Sequence, residues 1–334
     1  MGIELFTAGD ARRVEACHEI LRATKAADDP DMPVMPRRVF EGWLESGWVG
    51  DPRETWLLED ANGVGGWYLL ELPSRDNKHL GALQLMVRPD RQRRRLGTAL
   101  LRHAAGRALA AERSLLTGYA SAGCPGEAFM RSFGATGGLA EIERVLDLDT
   151  VAAGHLAGLR AEAERAAAGY SLISWVSPAP EEWVDQVAAI SGLLYDAPHD
   201  PNIEPWAWDA ARVRATERRM RLQGVRARTV AARHDASGEL AGFTQVEVGP
   251  EQPERGFQAL TAVVRAHRGH RLGLLLKVAM MELLAQTEPQ VRRLITSNTE
   301  TNEHMIAINT RLGYRVLGKP LRSWELPTAR AAQS

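Results

Sequence analysis

The chain has 334 residues, of which 45% are hydrophobic and 25% are charged, and its formal net charge is −1. This length exceeds what one hydrophobic core usually fills, so two domains of ordinary size are expected. The near-neutral charge argues against a general affinity for nucleic acid or an anionic membrane, and only two cysteines exclude a disulfide framework. Because neither a secretory leader nor an apolar run of about 18 residues is found, a cytoplasmic protein is expected. A monomer or a homodimer is expected.

The first half predicts a strand, a basic loop and a helix in that order. Residues 83–87 alternate in polarity as a strand does, and residues 100–108 place apolar side chains at every fourth position, typical of a helix. Between them lies the arginine-rich segment 87–97, which reads VRPDRQRRRLG. Residues 151–168, rich in Ala, Glu and Arg, predict a helix that connects the two halves.

The second half predicts the same succession. Residues 228–232 and 240–248 flank a turn signal and predict a β-hairpin. Residues 257–263 alternate as a strand, and residues 275–283 carry the apolar stripe of an amphipathic helix. The loop between them, residues 263–273, reads VVRAHRGHRLG and ends like the first loop in Arg-Leu-Gly.

The two halves are related by an offset of 176 residues, which carries Gly97 onto Gly273 and Glu71 onto Glu247. Agreement in order at several separate places indicates an internal duplication. Strands and helices mix in both halves, so the predicted class is α/β or α+β. The predicted domains are residues 1–165 and 166–328.

A loop between a strand and a helix is suited to bind a phosphate group. The first amides of a helix have no partners within it and carry a partial positive charge, so they attract anions. Gly273 allows close approach to the backbone, and Arg268 or Arg271 adds charge-assisted contacts. Neither the P-loop motif nor the dinucleotide-binding glycine motif occurs here. A basic, solvated helix start without a ligand is the alternative.

The motifs Gln92-x-x-Arg95-x-Gly97 and Arg268-x-x-Arg271-x-Gly273 resemble the pyrophosphate loop, Gln/Arg-x-x-Gly-x-Gly/Ala, of the GCN5-related N-acetyltransferase (GNAT) superfamily. Both depart from it where arginine replaces the first glycine. The resemblance implies two tandem domains, each a mixed, mostly antiparallel sheet flanked by helices, in a mycothiol-synthase-like architecture. It also implies acetyl-CoA as co-substrate and no metal. The cofactor-binding residues it implies are Val263, Val264, Arg268, Gly269, His270, Arg271, Leu272, Gly273, Leu274, Asn298 and Asn302 in the second half, and Val87, Gln92, Arg93, Arg95, Leu96, Gly97 and Thr98 in the first.

The resemblance continues downstream only in the second half. Thr296, Asn298, Asn302, Asn309 and the run 312–314 (Leu-Gly-Tyr) resemble the family's late strand, its following helix and its closing turn. An ordinary helix with an asparagine cap and a glycine stop explains the same residues. Because the first half lacks these asparagines, the second domain is predicted to be catalytic and the first degenerate or structural.

The chemistry requires a base for the amine, a donor for the developing oxyanion and an acid for the leaving thiolate. Glu247 resembles the general base of the family, and backbone amides near Val263 or Val264 would hold the oxyanion. The family often uses a tyrosine as the acid, but Asn309 stands in its place and could only donate a hydrogen bond to the thiol. The residues predicted to bind a cationic substrate are Asp196, His199 and Asp200.

The leading hypothesis is an acetyl-CoA-dependent N-acetyltransferase that acts on a small-molecule amine by direct transfer from the thioester. A non-catalytic acyl-CoA-binding or sensor protein is the alternative, because the usual tyrosine is missing. An aminoacyl-transferase that takes aminoacyl-tRNA is a third hypothesis, which the near-neutral charge disfavours.

Overall fold

The computed structural model describes residues 2–45 and 51–333. The chain forms two compact units, of which the first comprises Met1–Glu141, Asp200–Glu204 and Gly318–Ser334, and the second Ile142–His199 and Pro205–Leu317. These units are not contiguous in sequence, whereas residues 1–165 and 166–328 are. The contiguous halves therefore remain a prediction about the sequence repeat. No helix in the described residues is long and apolar enough to cross a membrane.

Strands and helices are interspersed along the chain. The strands are β1 (Gly2–Phe6), β2 (Arg53–Asp60), β3 (Gly63–Glu71), β4 (Leu80–Val87), β5 (Leu115–Ser121), β6 (Thr136–Asp147), β7 (Tyr170–Val176), β8 (Arg226–His234), β9 (Leu240–Val248), β10 (Arg255–Val263), β11 (Arg293–Thr299), β12 (Arg315–Val316) and β13 (Leu321–Pro327). The α-helices are α1 (Ala11–Asp28), α2 (Arg37–Glu45), α3 (Leu96–Ala110), α4 (Pro125–Ser132), α5 (Ala153–Ala166), α6 (Val184–Gly192), α7 (Ala210–Leu222), α8 (Leu272–Thr287), α9 (Glu303–Leu312) and α10 (Thr328–Gln333).

The sheet of the first unit has the order β1-β2-β3-β4-β5-β13-β6. Its strands pair antiparallel except β4 and β5, which are parallel and joined by helix α3. The predicted helix is confirmed, because Leu100, Ala104 and Ala108 of α3 are fully buried in the core. Strand β13 comes from the end of the chain and lies between β5 and β6, with Trp324 packed against Gly118.

The sheet of the second unit has the order β7-β8-β9-β10-β11, followed by the second part of β6. The predicted hairpin is confirmed as the antiparallel pair β8–β9. Strands β10 and β11 are the parallel pair, joined by α8. Both units therefore repeat one topology, a mixed and mostly antiparallel sheet flanked by helices, as predicted.

Helix α8 is more deeply buried than an amphipathic surface helix. Ten of its residues are buried, including Leu274, Leu276 and Val278 outside the predicted stripe. The reason is that α5, the predicted connecting helix, packs on α8 through Leu159 and Ala163 while the sheet covers its other side. One of the ten buried residues is Lys277, the one charged residue among them.

Candidate active site

Strands β10 and β11 separate shortly after they meet. In the described residues their backbone pairing is confined to three pairs, the last of which is Phe257 with Ile295. On its other side β10 carries a bulge, because its register with β9 shifts between Gln258 and Leu260. A bulge bends a strand and leaves one residue, here Ala259, out of the ladder. A gap therefore opens between the two strands beyond Phe257 and Ile295.

The loop that follows β10 brings a helix start to this gap. Gly269 has φ +91° and Arg271, the N-cap of α8, has φ 54°, so two left-handed residues turn the chain into the helix. No side chain caps α8, and the amides of Leu274 and Leu275 both bond back to Arg271 O. The amides before them have no place in the helical ladder and are available to an anion.

The first unit has the same loop geometry. Arg93 and Arg95 both have φ 61°, at the positions that the offset of 176 carries onto Gly269 and Arg271. Leu96 is buried under the loop, while Gln92 bonds to Val87 O and Thr98 lies in the first turn of α3. In both loops, arginine therefore occupies the position of the first glycine of the pyrophosphate motif that the loops resemble. That position is left-handed in both units.

A glycine follows each arginine at the start of the helix. A Cβ built on Gly97 would lie 3.3 Å from Phe129 of α4, and one on Gly273 would lie 3.3 Å from Ile308 of α9. The two glycines thus occupy matching positions between the helix start and the following helix.

A cavity of about 780 Å³ joins the loop to the gap between β10 and β11. Of the cofactor residues predicted in the second half, Val264 and His270 are not part of its lining. Val264 N–H donates to Ala241 O, and His270 Nδ1 lies 3.3 Å from Ala166 O. The predicted residues that do line it are Asp196, Val263, Arg268, Gly269, Arg271, Leu272, Gly273, Leu274, Asn298 and Asn302.

The charges around the loop are paired within the second unit. Asp196 accepts hydrogen bonds from Arg265 at 3.0 and 2.5 Å and from Arg268 at 2.5 Å. Hydrogen bonding from Arg265, then from Arg268, lowers the pKa of Asp196 to about 2. Arg271 forms an ion pair with Glu162. Each arginine of the loop is therefore engaged by a carboxylate before any ligand binds, with Asp196 shared by two arginines and Glu162 shared with Arg311.

The three residues predicted to bind substrate do not form one site. Asp196 faces the arginines of the loop, whereas His199 is exposed and its Nδ1 lies 3.0 Å from Ala197 O. Asp200 belongs to the first unit, where it accepts the amide hydrogen of Leu139 at 2.9 Å. Only Asp196 lies at the cavity, and its carboxylate is already engaged.

Glu247 lies outside the cavity lining on the face of β9 opposite α8. Its neighbours Val246 and Val248 point to the α8 side, so alternation puts Glu247 on the other face, together with Phe243. Leu193, at the start of the segment that carries Asp196, packs on that same face. Burial raises the pKa of Glu247, and the nearby Arg219 acts against this shift.

Asn309 is fully buried and is not part of the cavity lining. Its Nδ2 donates to Asn298 Oδ1 at 2.7 Å, so it fixes a residue that does line the cavity. Asn302 is the N-cap of α9 and accepts from the Met305 amide at 3.3 Å, while Gly313 ends the helix at φ +96°. The cap and stop that explain this segment without a ligand are therefore present.

Sequence reasoning missed a buried polar network beside the gap. Gln258 Oε1 accepts from Lys277 Nζ at 2.7 Å and from Tyr314 Oη at 2.9 Å. Gln258 Nε2 donates to Thr244 Oγ1 at 2.7 Å, and this hydroxyl lies 2.7 Å from that of Thr261. The sequence does contain a signal for this network, because Lys277 is the one charged residue in the otherwise apolar run 272–281.

Comparisons with known proteins agree with this geometry. Residues 14–134 match the family model described as Acetyltransferase (GNAT) family. A tandem GNAT protein from the clavulanic acid biosynthesis pathway, solved without AcCoA, is 28% identical with a TM-score of 0.81, covering 98% of both chains. A GCN5-related N-acetyltransferase from Sphaerobacter thermophilus has the same fold, with 15% identity, a TM-score of 0.68 and coverage of 98% of this chain and 95% of that one. No curated protein matches the chain.

A mixed sheet with a parallel pair of strands, joined by a basic loop and a helix, defines each unit as a GNAT fold, and the class of protein is an acyltransferase. Residues 14–134 thus match the GNAT family model, and the chain is similar along nearly all of its length to a tandem GNAT protein.

Proposed function

We propose that the second unit transfers the acetyl group of acetyl-CoA directly to the amine of a small molecule. The observation that carries this proposal is the continuity of one cavity from the open helix start at Gly273 to the gap between β10 and β11. GNAT enzymes use acetyl-CoA, so the donor is inferred from the family.

The loop would hold the diphosphate of the cofactor. Its amides point from the start of α8, and its arginines are already paired with Asp196 and Glu162. Backbone hydrogen bonds rather than free guanidinium groups would therefore supply most of the affinity for phosphate. By the same argument, the loop of the first unit is proposed as a second cofactor site.

The gap between the strands would take the pantetheine arm and the thioester. The bulge at Ala259 removes part of the β9–β10 ladder next to the gap, and backbone donors there can face a carbonyl oxygen. We place the oxyanion donor at this bulge rather than near Val263 or Val264, because the Val264 amide is bonded to Ala241 O.

Glu247 would accept the amine proton, directly or through water. It lies on the same face of the sheet as the segment that begins at Leu193, so an acceptor entering along that segment would meet it. A carboxylate with a raised pKa is a better base than an ordinary one.

The test is thiol release from acetyl-CoA with a panel of small amines. We expect turnover in the wild type, and a loss of about 10²-fold or more in kcat for Glu247→Gln, the usual size of a base contribution. The rate should fall at low pH through a pKa above the ordinary glutamate value, because the carboxylate must be ionised to act.

Glu71→Gln is the matched control, since Glu71 occupies the equivalent position in the first unit, where it pairs with Arg53. Full activity in both variants would contradict the role of Glu247. Tight acetyl-CoA binding without turnover on any amine would support the sensor alternative instead.

A further inference from the structure

Lys277 is a buried cation without a carboxylate partner. Its side chain is 1% exposed and lines the cavity, and its ammonium donates to Gln258 Oε1 at 2.7 Å. The ring centroid of Tyr314 lies 5.2 Å from Nζ. Within residues 2–45 and 51–333 no ion pair neutralises this lysine. Burying an unpaired ammonium costs free energy, so the fold alone does not favour a lysine here.

Both ends of the Gln258 amide are already engaged in hydrogen bonds. Gln258 Oε1 accepts from both Lys277 and Tyr314, and Gln258 Nε2 donates to Thr244. An ammonium has three donors, and the described residues supply one acceptor for them. The network holds the ammonium of Lys277 in place, and its remaining N–H groups can donate to a further acceptor.

The first unit provides an internal comparison. The offset of 176 carries Lys277 onto Leu101 and Gln258 onto Ala82, and Leu101 is fully buried in an apolar core. The same fold is therefore built without a lysine or its glutamine partner. The polar network is a property of the unit to which we assign the chemistry.

The network lies where the gap between the strands closes. Gln258 directly follows Phe257, whose pairing with Ile295 is the last between β10 and β11. Thr296, the residue after Ile295, donates to Gln258 O at 3.2 Å. Under the proposed function, a thioester lying in the gap would place its sulfur toward this end.

We propose that Lys277 is the acid that protonates the departing thiolate of coenzyme A. As the amine nitrogen bonds to the carbonyl carbon, the C–S bond breaks and its electron pair goes to sulfur. The ammonium transfers one proton to sulfur, which gives the free thiol and a neutral lysine, and solvent then restores the proton. The amine proton leaves separately to Glu247. This assignment rests on the proposed function and supplies the acid that Asn309, bonded to Asn298, does not.

The protonation behaviour of Lys277 suits this role. Burial lowers its pKa to about 7, so both protonation states are populated near neutral pH and the group can give up and regain a proton. The titratable group in contact with it is Tyr314, whose pKa is raised by burial. Strands β9, β10 and β11 present Thr244, Gln258 and Thr296, and α5 packs on α8 through apolar residues. The other ionisable residues of the cavity are Asp196, His267, Arg268, Arg271, His304 and Arg311.

The test measures the pH dependence of turnover together with the affinity for coenzyme A. Free coenzyme A is titrated into the wild type and into Lys277→Met by calorimetry, and kcat of both proteins at saturating acetyl-CoA is followed against pH. In the wild type kcat should fall as the pH rises through about 7, because only the protonated ammonium can act as the acid, and this alkaline decrease should be absent from Lys277→Met. The variant should also lose about 10²-fold in kcat at little change in KM for acetyl-CoA.

Two further variants keep the result interpretable. Leu101→Met, the matched change in the first unit, should leave the pH profile of kcat as in the wild type. Lys277→Gln keeps a hydrogen-bond donor without the charge, so it should behave like Lys277→Met. It replaces the methionine variant in the test if that variant does not fold.

The outcomes separate this inference from the proposed function. No binding of coenzyme A to the wild type contradicts the proposed function and removes the inference with it. Binding of coenzyme A with the same alkaline decrease of kcat in the wild type and Lys277→Met overturns the inference alone. A loss confined to donors whose acyl chain bears a carboxylate, with unchanged kcat for acetyl-CoA, also overturns it, because Lys277 would then recognise the acyl group.

Discussion

At the scale of single residues, Asp196 shows how a position can be predicted correctly while its role is not. The sequence placed an acidic residue near the acceptor side, and Asp196 does line the cavity. Its carboxylate, however, bridges Arg265 and Arg268 of the loop. Sequence spacing could not reveal this, because the partners lie 69 and 72 residues away. We therefore infer that Asp196 tunes the charge of the loop.

This role predicts the effect of Asp196→Asn. The change releases two guanidinium groups toward the diphosphate, so coenzyme A should bind a few-fold more tightly at low salt, and the gain should shrink as salt screens the charges. Calorimetric titration at two salt concentrations measures both effects. An unchanged affinity for coenzyme A together with a raised KM for the amine would instead support acceptor binding by Asp196.

At the scale of elements, periodicity and caps predicted most of the second unit. The hairpin β8–β9, the helix start at the loop and the Asn302 cap of α9 all follow from local pattern. The deep burial of α8 could not be predicted from local pattern, because it depends on α5 covering the outer side of this helix. The bulge at Ala259 and the polar network beside it also depend on contacts between strands that no local pattern encodes.

The loop of the first unit makes a prediction about backbone strain. Arg95 is exposed with φ 61°, a region that costs a residue with a Cβ roughly 1 kcal/mol and a β-branched residue more. Arg95→Gly should leave stability unchanged or raise it slightly, since strain relief is offset by the entropy of glycine in the unfolded chain. Arg95→Val should destabilise by about 1 kcal/mol or more.

Denaturant unfolding of the two Arg95 variants against the wild type measures the order of stability. Equal stability of the valine and glycine variants would show that the loop does not hold residue 95 in the left-handed region.

At the scale of the whole molecule, the repeat was predictable but the assignment of its last strand was not. The offset of 176 residues correctly relates two loops of the same geometry. Strand β13, which falls in the predicted second domain, completes the first unit by pairing with β5 and β6. Such long-range pairing leaves no local signal, because a strand reads the same whichever sheet receives it.

The tandem arrangement also raises the question of which unit holds cofactor. The family model matches residues 14–134, in the first unit, whereas the downstream asparagines and the buried lysine belong to the second. The two loops share their backbone geometry, so cofactor affinity and catalysis need not reside in the same unit.

The most direct test is a calorimetric titration of coenzyme A into the wild type, Gly273→Glu and Gly97→Glu. A glutamate in the first turn suits the helix start, so both variants should fold, but its charge would repel the diphosphate. We predict that Gly273→Glu lowers the affinity of the site that supports turnover by at least about 10-fold, while Gly97→Glu leaves turnover intact. Wild-type protein that shows no heat with millimolar coenzyme A, or a Gly273→Glu variant that binds and turns over normally, would contradict the account.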